Sequence, residues 1–508
     1  MEGSIAISTL LGCSPQQRPL GPRDGATCDR DCRAVLGGGL AERSRSPERS
    51  VCLRSHVRGR CEGVAVNELR PVRRPVAIDL FAGAGGLSLG FESAGFDVLS
   101  AVEYDPVHAA THLFNFPRAD VVCADIASLR GEDLIRSARK GWSAHYPEKD
   151  WDGVVDAVIG GPSCQGFSAM GRQDASDERN RFILEFVRLV AEVRPRAFCM
   201  ENVPGLLDAR FDEIRSRALR ALSAAGYEFV GHEDVLHAED FGVPQRRRRV
   251  MILGVLRGEG SPQPPKPTGA RVFTVADALE GLPELKRRAP VTTTDSLRLS
   301  TRALRNYLDA RGDFIEFADV KGRAIDGLGH PRDFQPQKLH GYRSTLHSAS
   351  SVARFRATAQ GAKEPISRAY RLAWDQPALT LRAGTGRERG SFSAARPLHP
   401  VEPRVVTARE AARLHSFPDW FRFHTTNWHA HRQIGNSVPP LLARAAAIAL
   451  LAALESHPQA SALGRACDSD ERLLSFSPTE AARFFEVAED QVPKRRRTAM
   501  APLQGSAA

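Results

Sequence analysis

Short apolar runs alternate with helical patterns along the chain after residue 75. Five runs have the length of buried strands: Val76–Phe81, Val98–Val102, Val154–Ile159, Ala197–Met200 and Val250–Leu256. Helical periodicity fills intervening stretches such as Gly86–Ala94 and Phe182–Val193. This alternation predicts an α/β fold with a doubly wound, mostly parallel sheet. Ligand sites in such folds lie at the carboxyl ends of the strands, so we expect the chemistry on the loops there.

The alternation stops after Gly258. The proline-rich segment Ser261–Thr268 leads into a stretch with many Arg, His, Ser and Thr residues, which continues to about Pro403. We therefore expect a second, smaller and irregular domain between residues 258 and 403.

Helical patterns return near the end of the chain. Thr407 and Glu410 have the spacing of a capping box, which predicts a helix through His415. A final buried helix is predicted from Pro440 to Ser456, and one amphipathic helix near Pro478–Glu489.

The charge balance indicates a polyanionic partner. The 508 residues include 70 Lys and Arg against 60 Asp and Glu, a formal net charge of +10, and the pI is near 9.4. A basic balance alone does not identify this partner as nucleic acid. The longest apolar stretch, Ala445–Leu454, is shorter than the roughly 18 residues of a membrane span, so no membrane association is predicted.

Nine scattered cysteines predict reduced thiols in a cytoplasmic protein. Glu2 stands where a signal peptide carries Lys or Arg, which argues against export. The four cysteines between Cys28 and Cys61 lack paired C-x-x-C spacing, so we predict no zinc site. The segment around them, residues 1–74, is rich in Gly, Ser, Pro and Arg and has the composition of a disordered basic arm.

A glycine-rich loop, Asp79–Gly86, follows the first predicted strand and opens a helix. Its glycines allow a tight turn and let a ligand approach the backbone. A nicotinamide-dependent enzyme would need Gly in place of Ser88, which disfavours that class. Glu103 ends the next strand and suits two ribose hydroxyls, while Asp125 and Ile126 follow a third strand and suit an adenine edge. Together these residues predict a nucleoside pocket.

A cysteine lies on a glycine-flanked loop, Gly160–Ser168, after the fourth predicted strand. Cys164 is either a nucleophile or an ordinary buried thiol, because a thiol with a pKa of about 8.5 needs activation to attack. Glu201 ends the next strand at the same edge, where partial desolvation is expected to keep it protonated and able to donate. Arg247 and Arg249 alternate in a basic run and share one face of a strand, either as a solvated surface or as support for this site.

Six motifs occur in an order and at a spacing that resemble the bacterial DNA cytosine-5 methyltransferases. They are DLFAGAGGLSLGF from Asp79, GGPSCQGFS from Gly160, ENV from Glu201, FGVPQRRRR from Phe241, REAARLHSFPD from Arg409 and QIGNSVPP from Gln433. The resemblance covers roughly residues 75 to 453. It implies the Rossmann-like fold of S-adenosylmethionine-dependent methyltransferases, with a second, smaller domain that recognises the target.

The resemblance also implies roles for individual residues. The residues implied to contact S-adenosylmethionine are Phe81, Gly83, Gly85, Glu103, Asp125, Ile126 and Asn436, and Asp79, which opens the same loop, completes the predicted cofactor-binding set. Cys164 is implied as the nucleophile, Glu201 as the contact to the target base, and Arg247 and Arg249 as support. One departure stands out, because Ser163 occupies the position directly before the cysteine where the family usually has Pro.

The implied reaction methylates carbon 5 of a cytosine that has been flipped out of duplex DNA. The domain expectations are a disordered arm at 1–74, a catalytic and cofactor-binding domain at 75–257, a target-recognition domain at 258–403, a return to the catalytic domain at 404–456 and a poorly ordered tail at 457–508. We expect a cytoplasmic monomer that acts on double-stranded DNA, with a cognate restriction endonuclease encoded nearby as a further partner.

Three alternatives remain open at this point. Closely similar motifs serve methyltransferases that act on tRNA, although the long irregular domain favours duplex DNA. A catalytically silent DNA-binding regulator would keep the fold, with Ser163 as its only support. An amino-directed DNA methyltransferase would need a Pro-Pro-aromatic loop in place of Ser163-Cys164.

Overall fold

The computed structural model describes residues 73–162, 181–285, 291–321, 332, 334–384, 396–457 and 469–492. The arm before residue 73, the segment with Ser163 and Cys164, and the basic run at 494–497 lie outside these described residues. Expectations for those segments therefore stay predictions.

Twelve strands occur within the described residues. They are β1 Val76–Leu80, β2 Asp97–Glu103, β3 Asp120–Cys123, β4 Ala157–Gly160, β5 Ala197–Asn202, β6 Tyr227–Val230, β7 Leu236–His237, β8 Gln245–Arg246, β9 Arg248–Leu256, β10 Ser296–Arg298, β11 Lys338–His340 and β12 Ala378–Leu379.

Thirteen α-helices occur in the same described ranges. They are α1 Gly86–Ala94, α2 Pro106–Asn115, α3 Gly131–His145, α4 Phe182–Val193, α5 Asp212–Ala224, α6 Val275–Leu279, α7 Thr301–Asp309, α8 Asp313–Phe317, α9 Ala349–Ala357, α10 Ala408–Leu414, α11 Asn427–Asn436, α12 Pro440–Ala453 and α13 Pro478–Phe484.

The central sheet has the strand order β3-β2-β1-β4-β5-β9-β6, and β7 pairs with β9. The first five strands in this order are parallel, whereas β9 runs antiparallel to both β5 and β6. The predicted doubly wound, mostly parallel sheet is confirmed. The predicted strand Val250–Leu256 forms part of β9, so it runs opposite to the other predicted strands. An apolar pattern does not encode strand direction, so the sequence could not predict this reversal.

Both faces of the sheet are covered. Ile78 and Leu80 of β1 belong to a core that includes residues of α3, α4 and α5, while Ala77 belongs to a second core with α1 and α12. This alternation follows from the period of two along a strand. Burial on both faces explains why the parallel strands read as continuous apolar runs.

Most predicted boundaries hold within a few residues. Helices α1 and α4 have the predicted bounds, and Thr407 forms the predicted capping box at α10. β1 ends one residue early because Phe81 adopts a positive φ of 60°. The final helix ends at Ala453 rather than Ser456, and Glu455 just beyond it has a positive φ of 49°.

The apolar stretch Ala445–Leu454 lies largely in α12, which packs closely against α1. A Cβ atom on Gly90 would lie 2.3 Å from the Cβ of Ala443, so glycine is needed for this approach. Within the described residues, one stretch, Asn427–Ala453, has the length and composition to cross a membrane. In its apolar 18-residue window, 61% is buried inside the fold.

The region from 258 to 403 contains short helices and two-stranded ladders, in agreement with its irregular pattern. Phe273 and Phe314 from this region share a core with Leu89 of α1 and Leu414 of α10. Whether residues 258–403 form a separate domain stays a prediction.

A buried ion pair ties this region to α10. The guanidinium of Arg413 makes two contacts with the Asp419 carboxylate, of 2.6 and 3.0 Å, and also donates to the carbonyl of Ala278 next to the end of α6. Tyr307 of α7 donates to the same carboxylate at 2.7 Å. Burial raises the pKa of Asp419, but the neighbouring Arg413 and Arg409 outweigh it and hold the pKa below its ordinary value.

We expect Asp419→Ala to lower the free energy of unfolding by about 3–5 kcal/mol, because it leaves the Arg413 guanidinium buried without its carboxylate. Urea denaturation followed by circular dichroism measures the effect. Asp470→Ala is the matched control, since Asp470 pairs with Arg472 on the surface, where such pairs contribute little. An Asp419→Ala midpoint equal to that of the control would contradict the role of the pair.

Candidate active site

The sheet order brings the predicted site residues to one edge. Parallel strands end on the same side, so the segments that follow β3, β2 and β1 are neighbours there. These segments carry the predicted nucleoside-pocket residues. The ends of β4 and β5 continue the row, and they carry Gly161 and Glu201. The edge therefore has a cofactor half and a catalytic half.

The loop after β1 is folded tightly and is open on one side. Phe81, Gly83 and Gly85 all have positive φ, at 60°, 56° and 101°. A Cβ on Gly85 would lie 2.3 Å from the Phe116 ring, so this glycine is required by packing. A Cβ on Gly83 would meet no atom within 4 Å, so a ligand can approach the backbone there.

Glu103 joins this loop to the end of β2. One carboxyl oxygen accepts a hydrogen bond from the Gly83 N–H and the other accepts from the Asp105 N–H, both at 2.8 Å. Burial raises the pKa of Glu103 to about 7, although these backbone hydrogen bonds oppose the shift. The carboxyl group thus holds the Gly83 turn against the β2 end.

Asp79 is fully buried at the end of β1. Its Oδ2 accepts from the Ser88 hydroxyl at 2.5 Å, whereas Oδ1 has no hydrogen-bond partner among the described residues. Burial raises the pKa of Asp79 to about 7, and the Ser88 hydrogen bond opposes this. Ser88, which disfavoured a nicotinamide enzyme, thus has a structural role beneath the loop.

Asp125 and Ile126 begin a 3₁₀ turn directly after β3. The Asp125 carboxylate accepts from the Ala127 N–H at 3.0 Å and caps the turn. Ile126 is buried against the sheet, with 4% of its surface exposed. The remaining predicted cofactor residue, Asn436, is exposed at the end of α11.

Two contacts attach α11 to the cofactor half of the edge. Arg432 lies 2.7 Å from Asp105, which follows closely after Glu103, and Gln433 donates to the Thr111 hydroxyl of α2 at 2.8 Å. The structure therefore brings Asn436 toward the other predicted cofactor residues through two polar contacts of its own helix.

On the catalytic half, Arg249 Nε lies 2.5 Å from Glu201 Oε1, and both side chains are about nine-tenths buried. A Cβ on Gly161 would lie 3.0 Å from Glu201 Oε2. The amide of Asn202 donates to the Pro162 carbonyl at 3.3 Å. The chain that leads into the Cys164 segment therefore lies directly on the end of β5.

Arg247 is used differently from Arg249. Its guanidinium is buried and donates to the carbonyls of Leu381, Gly435 and Ser437, each at 3.0 Å. Because two of these carbonyls flank Asn436, Arg247 positions the segment that carries a predicted cofactor residue. Residues 246 and 248 are exposed, whereas Gln245 and Arg247 are buried and Arg249 is partly buried; Arg247 lies between β8 and β9 rather than on one strand with Arg249.

Sequence analysis overlooked Tyr104, which directly follows Glu103 and has 46% of its surface exposed at the cofactor half. An aromatic residue next to a predicted ribose carboxylate is a signal that could have identified it. Among the described residues, no group of three or more His, Cys, Asp or Glu side chains is arranged to hold a metal ion.

Comparison with known proteins identifies the family. The profile of the C-5 cytosine-specific DNA methylases matches residues 76–452. The chain belongs to this family. The methylase therefore transfers a methyl group to carbon 5 of cytosine in DNA, and the sequence-based expectations of family, fold and enzyme class are confirmed. The tRNA-directed, amino-directed and silent alternatives are set aside.

Relatives match along most of their length. The methylase is 42% identical to the Type II methyltransferase M.XorII of Xanthomonas oryzae pv. oryzae over 84% of this chain and 95% of that protein. It is 35% identical to the Type II methyltransferase M1.HphI of Haemophilus parahaemolyticus, over 74% of this chain and 86% of that one. A crystal structure described as a DNA modification methyltransferase from an E. coli prophage has a TM-score of 0.60 and 33% identity, and the match covers 75% of this chain and 99% of that one.

Asp79→Asn is expected to stabilise the methylase at alkaline pH. The folded-state pKa of about 7 exceeds the value near 3.9 of an unfolded chain, so folding takes up a proton between pH 4 and 7. The free energy of unfolding therefore falls as the pH rises through this window. Asparagine cannot ionise, so the variant should exceed the wild type by about 1–3 kcal/mol at pH 8 and by less as the pH approaches 4.

Urea denaturation at a series of pH values measures this difference. Asp150→Asn, at an exposed position, is the matched control and should follow the wild type at every pH. A difference for Asp79→Asn that does not change with pH would show that its carboxyl group is not the titrating one.

Proposed function

We propose that this methylase uses S-adenosylmethionine to methylate a cytosine flipped out of duplex DNA, with Cys164 as the nucleophile and Glu201 as the acid that contacts the base. The observation that supports this assignment is the ion pair of Glu201 with Arg249 at 2.5 Å. A Cβ on Gly161 would lie 3.0 Å from the same carboxyl group, and Cys164 follows Gly161 by three residues in the sequence.

The chemistry of cytosine explains these two groups. Carbon 5 is a poor nucleophile, so the Cys164 thiolate adds to carbon 6 while Glu201 donates a proton to ring nitrogen 3. The ring then has enamine character, and carbon 5 can form a bond to a methyl group. S-adenosylmethionine, when bound, supplies that methyl group in electrophilic form on its sulfonium. A base takes up the proton from carbon 5, ring nitrogen 3 returns its proton to Glu201, and elimination of the thiolate restores the aromatic ring and frees Cys164.

Arg249 positions the acid in this scheme. Its guanidinium fixes one carboxyl oxygen of Glu201, and Gly161 leaves room for the other. The ion pair thus holds the carboxyl group in place at the end of β5.

The cofactor half of the edge fits S-adenosylmethionine. Gly83 leaves space beside the backbone, Glu103 offers carboxyl oxygens where a ribose would bind, and Asp79 Oδ1 is a buried acceptor without a partner in the described chain. A ligand that combines a nucleoside with a cationic sulfonium suits this acidic pocket. Phe81, Gly85, Asp125, Ile126 and Asn436 complete the proposed binding set.

We assign target recognition to residues 258–403. Loops positioned by a rigid framework can vary in shape without disturbing the sheet, and arginine side chains can pair with guanine edges or phosphates. Of the arginines we consider, Arg343 and Arg382 lie in the described residues, and Arg387 and Arg389 lie outside them. Arg354 contacts Glu364 at 3.0 Å, which limits its availability to DNA.

The biological setting follows from the relatives. Two are named as Type II methyltransferases, so we propose that this methylase protects DNA against a cognate restriction endonuclease, acts as a monomer and works in the cytoplasm.

We expect Cys164→Ala to abolish methylation and to leave DNA binding measurable, because phosphate contacts supply most non-specific affinity. DNA with 5-fluorocytosine at the target site should become covalently bound to the wild type only, since fluorine cannot leave as a proton does. Denaturing gel electrophoresis detects the adduct. Cys199→Ala is the matched control because this buried β5 thiol, whose pKa burial raises, should be inert. An adduct with Cys164→Ala would overturn the assignment.

We expect Glu201→Gln to slow single-turnover methyl transfer by about 10²-fold or more, the usual scale for a positioned acid, without a comparable loss of cofactor affinity. Glu228→Gln, at an exposed position on β6, is the control and should keep the wild-type rate. A wild-type rate for Glu201→Gln would remove Glu201 from the chemical step.

A further inference from the structure

A segment beyond the family match packs against the cofactor half of the site. We call residues 469–492 the C-terminal strap. They include a 3₁₀ turn, Glu471–Leu474, and helix α13, whereas the family profile ends at residue 452. The strap therefore lies outside the residues that the family profile matches.

The strap is held firmly along its length. Leu474 and Ala481 are fully buried, and both the turn and α13 pack against α2. The Leu474 carbonyl accepts from the Thr425 N–H at 2.8 Å, and the Phe476 carbonyl lies 3.0 Å from Nε2 of His424. Burial of this kind makes the strap part of the folded protein rather than a loose end.

The described part of the strap ends beside the carboxyl ends of β2 and β3. The side-chain amide of Gln491 donates to the Tyr104 carbonyl at 2.6 Å, and the Tyr104 hydroxyl donates to the Gln491 carbonyl at 3.0 Å. The same amide lies 3.9 Å from the sulfur of Cys123, the last residue of β3. Gln491 thus joins the ends of β2 and β3. It bonds to Tyr104 at two places, the backbone carbonyl and the side-chain hydroxyl.

These contacts lie next to the proposed cofactor residues. Tyr104 directly follows Glu103, and Cys123 precedes Asp125 by two positions. Burial, together with the charges of Asp125, Cys123 and Asp490, raises the pKa of Tyr104. With 46% of its surface exposed, the tyrosine ring still offers a face on which an aromatic base can stack.

We infer that the C-terminal strap is part of the S-adenosylmethionine site, in which Gln491 positions the Tyr104 ring for stacking against the adenine of the cofactor. This inference rests on the cofactor site proposed above. Gln491 is a positioning residue, since it acts through Tyr104. Because a prepositioned ring loses less conformational freedom when the ligand binds, the two reciprocal hydrogen bonds strengthen binding.

The test uses full-length variants and two ligands, S-adenosylmethionine and S-adenosylhomocysteine. Gln491→Ala removes the amide that fixes the Tyr104 backbone. Tyr104→Phe keeps the ring and removes the hydroxyl bond. For each single variant we expect the Kd of both ligands, and the KM for S-adenosylmethionine, to rise about 3- to 10-fold, the effect of one lost hydrogen bond, with kcat unchanged.

The double variant provides an internal check. Since both changes release the same ring, its effect should be smaller than the product of the two single effects. Arg483→Ala is the matched control because this exposed strap residue contacts Glu489 and lies away from Tyr104. Isothermal titration calorimetry gives Kd, steady-state methylation gives KM and kcat, and thermal melting confirms that each variant is folded.

Glu103→Ala separates failure of the inference from failure of the proposed cofactor site. If Glu103→Ala weakens ligand binding while folded Tyr104→Phe and Gln491→Ala keep the wild-type Kd, only the strap inference is overturned. If Glu103→Ala also binds as the wild type does, the cofactor site is misplaced and the inference falls with it. A lower melting temperature with unchanged Kd and KM would indicate a purely structural role and would likewise overturn the inference.

Discussion

The parallel strands end at one edge of the sheet, and this constraint gathers carboxyl groups from distant parts of the chain into a single row. Asp79 is buried and Glu103 is partly buried there, and desolvation raises the pKa of each to about 7. Burying such groups costs free energy unless other groups compensate for the lost water. The Ser88 hydroxyl and backbone N–H groups compensate in part, and a cationic ligand would complete what they leave unmet.

Contacts from Gln245 and Arg247 hold later segments of the chain against this edge. Gln245 of β8 accepts from the Leu381 N–H and donates to the Leu414 carbonyl, so it joins β8 to two segments far along the chain. Arg247 extends the connection to the segment around Asn436. A change in either residue would therefore act on the cofactor half and on the adjoining irregular region together, although neither residue would need to contact a reacting atom.

Local pattern predicted most of the fold, whereas long-range contacts limited the prediction of the site. The bounds of α1 and α4 followed from apolar period alone, and strand ends located Glu103 and Glu201. Arg247 and Arg249 look equivalent in sequence, yet one contacts Glu201 and the other contacts carbonyls near residue 436. The partner of Tyr104 lies 387 residues away, beyond the reach of any local pattern.

The arginine content also overstated the surface available to DNA. Arg371 and Arg409 are buried, and each donates to three or more backbone carbonyls, most of which lie outside strands and helices. Buried carbonyls need donors, and a guanidinium carries five N–H groups in a fixed geometry. These side chains thus supply hydrogen bonds to carbonyls that regular secondary structure leaves without donors. The net charge of +10 therefore includes arginines with a structural role, and only the exposed arginines can contact a polyanion directly.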